Sequence, residues 1–379
     1  MMNFLNISKN FYVKIELKAQ HTKGKHPGGN EMNDDELHAY LAKYNISQRT
    51  AMITLMLSIF VDVLGFSLIL PLLPSIAKEV GASDFMVGII ISANPLMGLF
   101  FGPIWGTLSD KFGRKPVLLV SQIGTCAAFL ILASADTINI IIFARLLDGI
   151  FGGQMPIVRA IISDITTPAT RTEKVGTMMV GAAMGAIFGP VIGGFLGAIN
   201  WRYPPLFTAI LSIISIILTL TILVETMPKS RREDLQAKRA LQHEATMKRP
   251  SLLKNPEVNI RLWQFFIFDA IVVMFTSSIA LVVDKRYGGG PREIGILMMF
   301  VVIAMIVIRG RLMTPMIRRF GEKRLYFFVI WCAVFSFFAF PWLSAFWMMF
   351  VFMFPFVLFM VIGRSEERRV GKECRSRWS

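Results

Sequence analysis

Several charged residues lie within long apolar stretches of this 379-residue sequence, and four of them are candidates for proton chemistry: Asp62, Arg145, Asp148 and Asp269. If those stretches cross a bilayer, each charge costs about 2.5 to 3.5 kcal/mol at mid-membrane on insertion scales, so it should face a partner, water or a cavity. Asp148 lies one helical turn after Arg145, where the two can form an ion pair. A buried carboxyl group can also bind and release a proton. We therefore predict proton exchange here, with a static Arg145–Asp148 pair and a merely hydrogen-bonded Asp62 as the alternatives.

A second group of charges lies between two apolar stretches. The glycine, acid and base positions of this loop are Gly106, Asp110, Lys111, Gly113, Arg114 and Lys115. Glycine permits a tight turn and the close approach of helices. An acid beside several bases can form an ion pair that breaks and re-forms when two domains move. We predict a cytoplasmic gate at this loop; the alternative is a charged loop that only fixes the orientation of the chain.

Glycines also recur in one apolar stretch at intervals of four residues. They are Gly181, Gly185, Gly189, Gly193 and Gly197, and Pro190 follows the middle one. Residues four apart share one face of a helix, and small residues there let another helix approach closely. Close packing explains the stripe by itself, but it does not require the order glycine-proline-x-x-glycine-glycine, which favours a kink.

The elements that must position these residues are membrane-spanning helices. The sequence is 54% hydrophobic and 17% charged, whereas a soluble domain is typically about a quarter charged. Apolar stretches of about 20 residues are long enough to cross roughly 30 Å of hydrocarbon as helices. Ten such stretches are predicted: 51–73, 86–105, 116–135, 137–157, 175–198, 205–224, 263–283, 293–313, 325–341 and 344–362. The predicted fold class is an all-α polytopic membrane protein.

The basic residues give a formal net charge of +15 and lie chiefly in alternate loops. The positive-inside rule predicts that those loops and the N-terminus are cytosolic. Residues 1–50 are interpreted as a flexible cytosolic tail and residues 227–259 as a basic cytosolic connector. Such segments hold topology and touch anionic lipid, so we predict the lipid bilayer as a partner and no nucleic acid.

An internal repeat divides the chain into two halves. The matching pairs are Lys111–Lys115 with Arg319–Lys323 and Gly102 with Gly310 at an offset of 208, and Gly88 with Gly295 and Asp62 with Asp269 at 207. Parallel repeats are a recurring transporter architecture. Residues 51–226 form a first half of six helices, whereas residues 260–363 contain four. We expect two six-helix halves in the native protein, with ten of its twelve helices present here.

The last residues differ from the rest of the chain. Residues 364–379 follow an aromatic and Met-rich stretch and show no helical or strand period. They resemble, letter for letter, the conceptual translation of a common sequencing adapter, and we interpret them as an artefact. The native C-terminal sequence is therefore expected to be different.

These motifs together resemble the major facilitator superfamily, in its tetracycline-efflux-like drug:proton antiporter branch. The loop from Gly106 to Lys115 is similar to the superfamily's loop signature, and the sequence around Arg145 resembles a motif whose arginine is linked to proton coupling. Asp62 and the residues up to Pro74 look like the first helix of tetracycline-type efflux proteins. The antiporter signature is matched by Gly176, Gly185, Gly189, Pro190, Gly193 and Gly194. The resemblance implies a two-half fold, alternating access and antiport of a small, organic solute against protons.

Several functions stay open at this point. Asp148 departs from the superfamily pattern, and it can neutralise Arg145 instead of leaving it free for coupling. We predict a proton-coupled antiporter; the alternatives are an uncoupled facilitator of the same fold and a membrane sensor or adaptor. No enzyme, cofactor or metal site is predicted, since the sequence has no serine, histidine and acid constellation, His-Glu-x-x-His motif or phosphate loop. The sequence does not indicate the oligomeric state.

Overall fold

The computed structural model describes residues 34–228, 232–233, 256–339, 342 and 344–378. Within these residues the regular secondary structure is helical. The helices are α1 (Asp34–Lys43), α2 (Gln48–Ile69), α3 (Leu73–Glu79), α4 (Asp84–Phe112), α5 (Arg114–Ala133), α6 (Ile138–Phe151), α7 (Gln154–Asp164), α8 (Pro168–Ile199), α9 (Tyr203–Ile222), α10 (Pro256–Tyr287), α11 (Pro291–Val307), α12 (Met313–Phe320), α13 (Glu322–Ala339) and α14 (Phe346–Trp378). A π-helical turn, Ile308–Leu312, separates α11 from α12.

Six helical segments of the described chain are long and apolar enough to cross a membrane. Helices α2, α4, α5, α8 and α9 are five of them, and α6 and α7 together form the sixth. The side chains of Ser47, Ser83 and Thr137 each accept a hydrogen bond from a backbone N–H three residues further on. Such caps satisfy donors that the helix itself leaves unpaired. The six segments lie where six spans were predicted for residues 51–226.

The remaining predicted spans also coincide with helices. Helices α10, α11, α13 and α14 lie at the four places predicted in residues 260–363. The apolar segments found within three of them are shorter than those of the first half: Phe266–Phe275, Phe327–Ser336 and Phe346–Ile362. That each of these four helices crosses the bilayer therefore stays a prediction.

Helix α8 lies along α2 inside the first half, with its glycine stripe at the contact. A Cβ atom built on Gly185 would lie 2.6 Å from Phe60 O, and one on Gly189 would lie 2.9 Å from Leu64 O. Larger residues would therefore push the two helices apart. Helix α9 packs on both α2 and α5, and α6 packs on α4 and α5.

The two halves meet through α8 and α11 and, less extensively, through α3 and α10. At the first of these contacts, a Cβ atom on Gly194 would lie 2.6 Å from Gly295 Cα. Glycine at both positions is what allows the backbones to touch. The end of the bundle at which α3 contacts α10 is called the Lys78 end, because α3 carries Lys78. The opposite end, where α4 meets α5, is called the Gly113 end.

Two mates of the predicted internal repeat share a backbone feature. Gly113 has a φ of +107° and Gly321, its repeat mate, a φ of +74°, and each separates two consecutive helices. The sequence offset changes from 207 at Gly295 to 208 at Gly310. A π turn accommodates one residue more than an α-helical turn. The turn at Ile308–Leu312 lies where the predicted extra residue of the second half would have to be accommodated.

The N-terminal segment differs from the predicted flexible tail from Asp34 onward. Helix α1 docks on the Gly113 end, where Leu37 is buried and Tyr40 Oη donates a 2.7 Å hydrogen bond to Thr226 O. Apolar and aromatic side chains among the polar ones give this segment a face that packs. Residues 1–33 lie outside the described residues.

The segment after Gly363 is helical, although its sequence has no apolar period. Helix α14 continues as far as Trp378. Arginine, lysine and glutamate are frequent in this segment, and all three are good helix formers. The interpretation of residues 364–379 as an artefact stays a prediction, and most of the connector at 227–259 lies outside the described residues.

Candidate functional site

The arginine and acid of α6 form a buried ion pair. Arg145 Nη1 lies 2.7 Å from Asp148 Oδ2, and the two residues are 0% and 6% exposed. The same carboxylate oxygen accepts a 2.7 Å hydrogen bond from Asn94 Nδ2 of α4. Arg145 Nε and Nη2 have no hydrogen-bond partner among the described residues. Arg145 and Asp148 therefore form a direct ion pair, but Nε and Nη2 of the guanidinium group stay available to donate to a ligand or water.

Asp62 lies on α2 and is held by a residue that the sequence did not single out. Gln154 Nε2, at the start of α7, donates a 2.9 Å hydrogen bond to Asp62 Oδ1. The carboxyl groups of Asp62 and Asp148 are close enough for their charges to interact. Both predicted acids of the first half thus belong to one electrostatic group with Arg145. The side chain of Asp269, on α10, lies outside the described residues, so its role stays a prediction.

The loop that was predicted to be a gate lies at the Gly113 end and is centred on Arg114, which is 5% exposed. Its guanidinium group lies 2.5 Å from Asp110 Oδ1 and 3.0 Å from Asp164 Oδ2, and it donates a 2.7 Å hydrogen bond to Ser109 Oγ. Asp110 and Arg114 were both predicted for this loop, but the partner of Asp110 was not; the structure pairs the two. Asp164 was missed, because only the fold brings the end of α7 to the start of α5.

Glu225 completes this cluster and was also missed. Its carboxylate accepts hydrogen bonds from the backbone N–H groups of Arg114 (3.0 Å), Lys115 (3.2 Å) and Met227 (2.8 Å). The first two lie at the N-terminus of α5, where a negative charge is stabilised by unpaired N–H groups and the helix dipole. A Cβ atom at Gly113 would lie 2.6 Å from Glu225 Oε2. Glycine is therefore required at this position for two reasons. Other residues are strained at a φ of +107°, and their Cβ would collide with the carboxylate of Glu225.

The other residues predicted for the gate lie around this cluster. Lys115 Nζ donates a 2.8 Å hydrogen bond to Leu220 O of α9. Lys111 is exposed and lies over the Phe112 ring. A Cβ atom at Gly106 would lie 3.7 Å from Pro156 Cβ, an ordinary contact. The loop is thus joined to α7 and α9 of its own half.

The predicted antiporter residues separate into two groups. Gly185, Gly189 and Gly193 face α2, whereas Gly194 faces the other half. Pro190 lies inside α8 and is buried among them. Gly176 has open space around its Cα position, so packing gives no reason for glycine there.

Comparison with known proteins identifies the family. The family model described as Major Facilitator Superfamily matches residues 55–365. The chain belongs to this superfamily. It is 28% identical over 285 residues to multidrug resistance protein 2 of Bacillus subtilis, covering 73% of this chain and 69% of that protein. It is 28% identical over 311 residues to tetracycline resistance protein, class B, of Escherichia coli, covering 81% and 75%.

Solved structures agree on the fold. The nucleoside transporter NupG superposes with a TM-score of 0.60 at 17% identity, covering 82% of this chain and 80% of that one. The predicted superfamily membership and all-α polytopic fold are therefore confirmed. As a major facilitator protein with resistance proteins among its relatives, the chain is a multi-pass membrane transporter of small molecules, and an enzymatic activity is not indicated.

Proposed function

We propose that this major facilitator protein exchanges a small organic solute for protons by alternating access. The observation that carries the proposal is the state of Arg145, which is fully buried, is paired with Asp148 through Nη1, and has no described hydrogen-bond partner at Nε or Nη2. A buried cation with free donors is an expensive arrangement that a purely structural pair does not need. The names of the tetracycline and multidrug resistance relatives support an organic solute.

Asp62 and Asp148 are the proposed proton acceptors. Arg145 Nη1 lies 2.7 Å from the carboxylate of Asp148, and its positive charge favours the ionised form of that acid. A movement that carries Arg145 away from Asp148 favours protonation of that acid. One conformational equilibrium then couples proton occupancy to solute release.

The Gly113 end is the proposed cytoplasmic side. Its exposed or half-exposed bases include Lys111, Lys115 and Lys174, and the positive-inside rule assigns such a surface to the cytosol. The cluster of Arg114 with Asp110, Asp164 and Glu225 would then hold the cytoplasmic ends of α4, α5 and α7 together while the half moves as one body.

Reconstituted protein in liposomes tests the proposal, with tetracycline as the probe solute. An acidic lumen should drive tetracycline uptake in the native protein, and Arg145→Gln and Asp148→Asn should abolish the response to the gradient. Arg202→Gln is the matched control, since Arg202 pairs with Asp136 near the membrane surface. Uptake that ignores the pH gradient would leave an uncoupled facilitator.

A further inference from the structure

A small polar cavity lies inside the first half, between α2, α5, α7 and α9. The volume within which the centre of a water-sized sphere fits is about 10 Å³. Seven of the eight residues lining it are polar, and Asp62 is the charged one. Some of these groups join the helices through hydrogen bonds, such as Ser58 Oγ to Gln154 Oε1 at 3.0 Å, but others have no partner among the described residues.

Two buried side chains present unpartnered polar atoms to this cavity. Gln122 is 2% exposed and Thr125 is 3% exposed. Gln122 Oε1 and Thr125 Oγ1 have no hydrogen-bond partner among the described residues. The other end of the Gln122 amide is engaged, since Nε2 donates to Ser58 Oγ (2.8 Å) and Ser215 Oγ (3.2 Å). Whichever way this amide is turned, one of its polar atoms faces the cavity.

We propose that the cavity binds one ordered water molecule, hydrogen-bonded to Gln122, Thr125 and Asp62. A buried polar atom left without a partner costs a large part of its hydration energy. A cavity of this size holds about one water, and a buried water typically makes about three hydrogen bonds. The lining offers three such groups, which are the amide oxygen of Gln122, the hydroxyl of Thr125 and the carboxyl group of Asp62.

The water gives Asp62 a route for proton exchange inside its own half, and this part of the inference rests on the proposed function. When Asp62 releases its proton, the water oxygen accepts it; the carboxyl becomes a carboxylate and the water a hydronium ion. The hydronium ion passes a proton to bulk water when the cavity opens. The amide of Gln154 cannot take this place, since it only donates to Asp62.

Infrared difference spectroscopy of the full chain in lipid tests the water directly. Acid-minus-neutral spectra should contain a water O–H band that shifts in water enriched in the heavy oxygen isotope. The band should be lost in Thr125→Val and Asp62→Asn and retained in Thr125→Ser, which keeps the hydroxyl group. Thr208→Val is the matched control, because Thr208 is fully buried and its hydroxyl is satisfied by Pro204 O of its own helix at 3.0 Å.

Three results would overturn the inference: no isotope-sensitive band in the native protein, a band that persists in Thr125→Val, or a spectrum that changes when choline chloride is replaced by sodium chloride. The last result would identify a monovalent cation as the occupant. A native band together with tetracycline flux that ignores the pH gradient would retain the water site and remove the proposed proton coupling. The two failures are therefore distinguishable.

Discussion

The ammonium group of Lys78 pairs with the carboxylate of Asp284 across the boundary between the two halves. A second pair of the same kind joins Lys285 to Asp84, so each half supplies one base and one acid. Both pairs lie at the Lys78 end, beside the contact of α3 with α10. This reciprocal arrangement would stabilise the conformation in which the halves are closed at this end.

Reversing the charge of Lys78 in the Lys78–Asp284 pair should open the Lys78 end. A partly exposed ion pair contributes up to about 1 kcal/mol, which corresponds to roughly a fivefold change in the closed population. We expect Lys78→Asp to lengthen the distance between spin labels on α3 and α10, and the double variant Lys78→Asp with Asp284→Lys to restore it. Arg202→Asp breaks a pair within the first half and should leave the distance unchanged. Failure of the double variant to restore the distance would show that the pair does not set this equilibrium.

The crossing of α8 and α11 gives a steric prediction. A Cβ atom at Gly194 would lie 2.6 Å from Gly295 Cα, so Gly194→Ala should force the backbones apart and hold the halves open at the Lys78 end. We expect tetracycline exchange to fall strongly while membrane insertion is preserved. Gly176→Ala, at a site with no atom within 4 Å of the new Cβ, is the control for a glycine replacement in the same helix. Equal exchange by both variants would contradict this account.

Glu225 should contribute to the stability of the Gly113 end. Its carboxylate caps the N-terminus of α5, and loss of such a cap costs about 0.5 to 2 kcal/mol. We expect Glu225→Gln to lower the thermal unfolding temperature in detergent, because an amide carries no charge for the helix dipole. Glu79→Gln changes an exposed acid at the end of α3 and is the matched control. An unchanged unfolding temperature for Glu225→Gln would show that the cap is dispensable.

The sequence predicted local features of this protein better than distant contacts. The ten apolar helices follow from apolar length, and the Arg145–Asp148 pair follows from spacing along one helix. Glu225 and Asp164 contact Arg114 only in the folded chain. Both acids are far from Arg114 in the sequence, so residue spacing could not predict these contacts.

Polar residues of the cavity were missed for a related reason. Gln122, Gln154 and Ser58 are single polar residues in otherwise apolar stretches, and each alone is compatible with an ordinary helix. Their concentration depends on the packing of four helices that are far apart in sequence. A search for uncharged polar residues within the predicted spans would have found them as candidates.

The π turn at Ile308–Leu312 gives the last prediction. If it absorbs one residue added to the second half, deletion of Arg311, which is exposed, should convert the segment into continuous α-helix and leave α12 and α13 in place. A comparison deletion, of Ile104 one position after the repeat mate of Arg311, falls in the uninterrupted helix α4. There the residues that follow would rotate by about 100° about the helix axis, and the Arg114 cluster could not form. We therefore expect deletion of Arg311 to give folded protein with a nearly native unfolding temperature, and deletion of Ile104 to give none. The measurement is thermal unfolding followed by size-exclusion chromatography, and equal loss of folded protein from both deletions would show that the π turn is not an insertion.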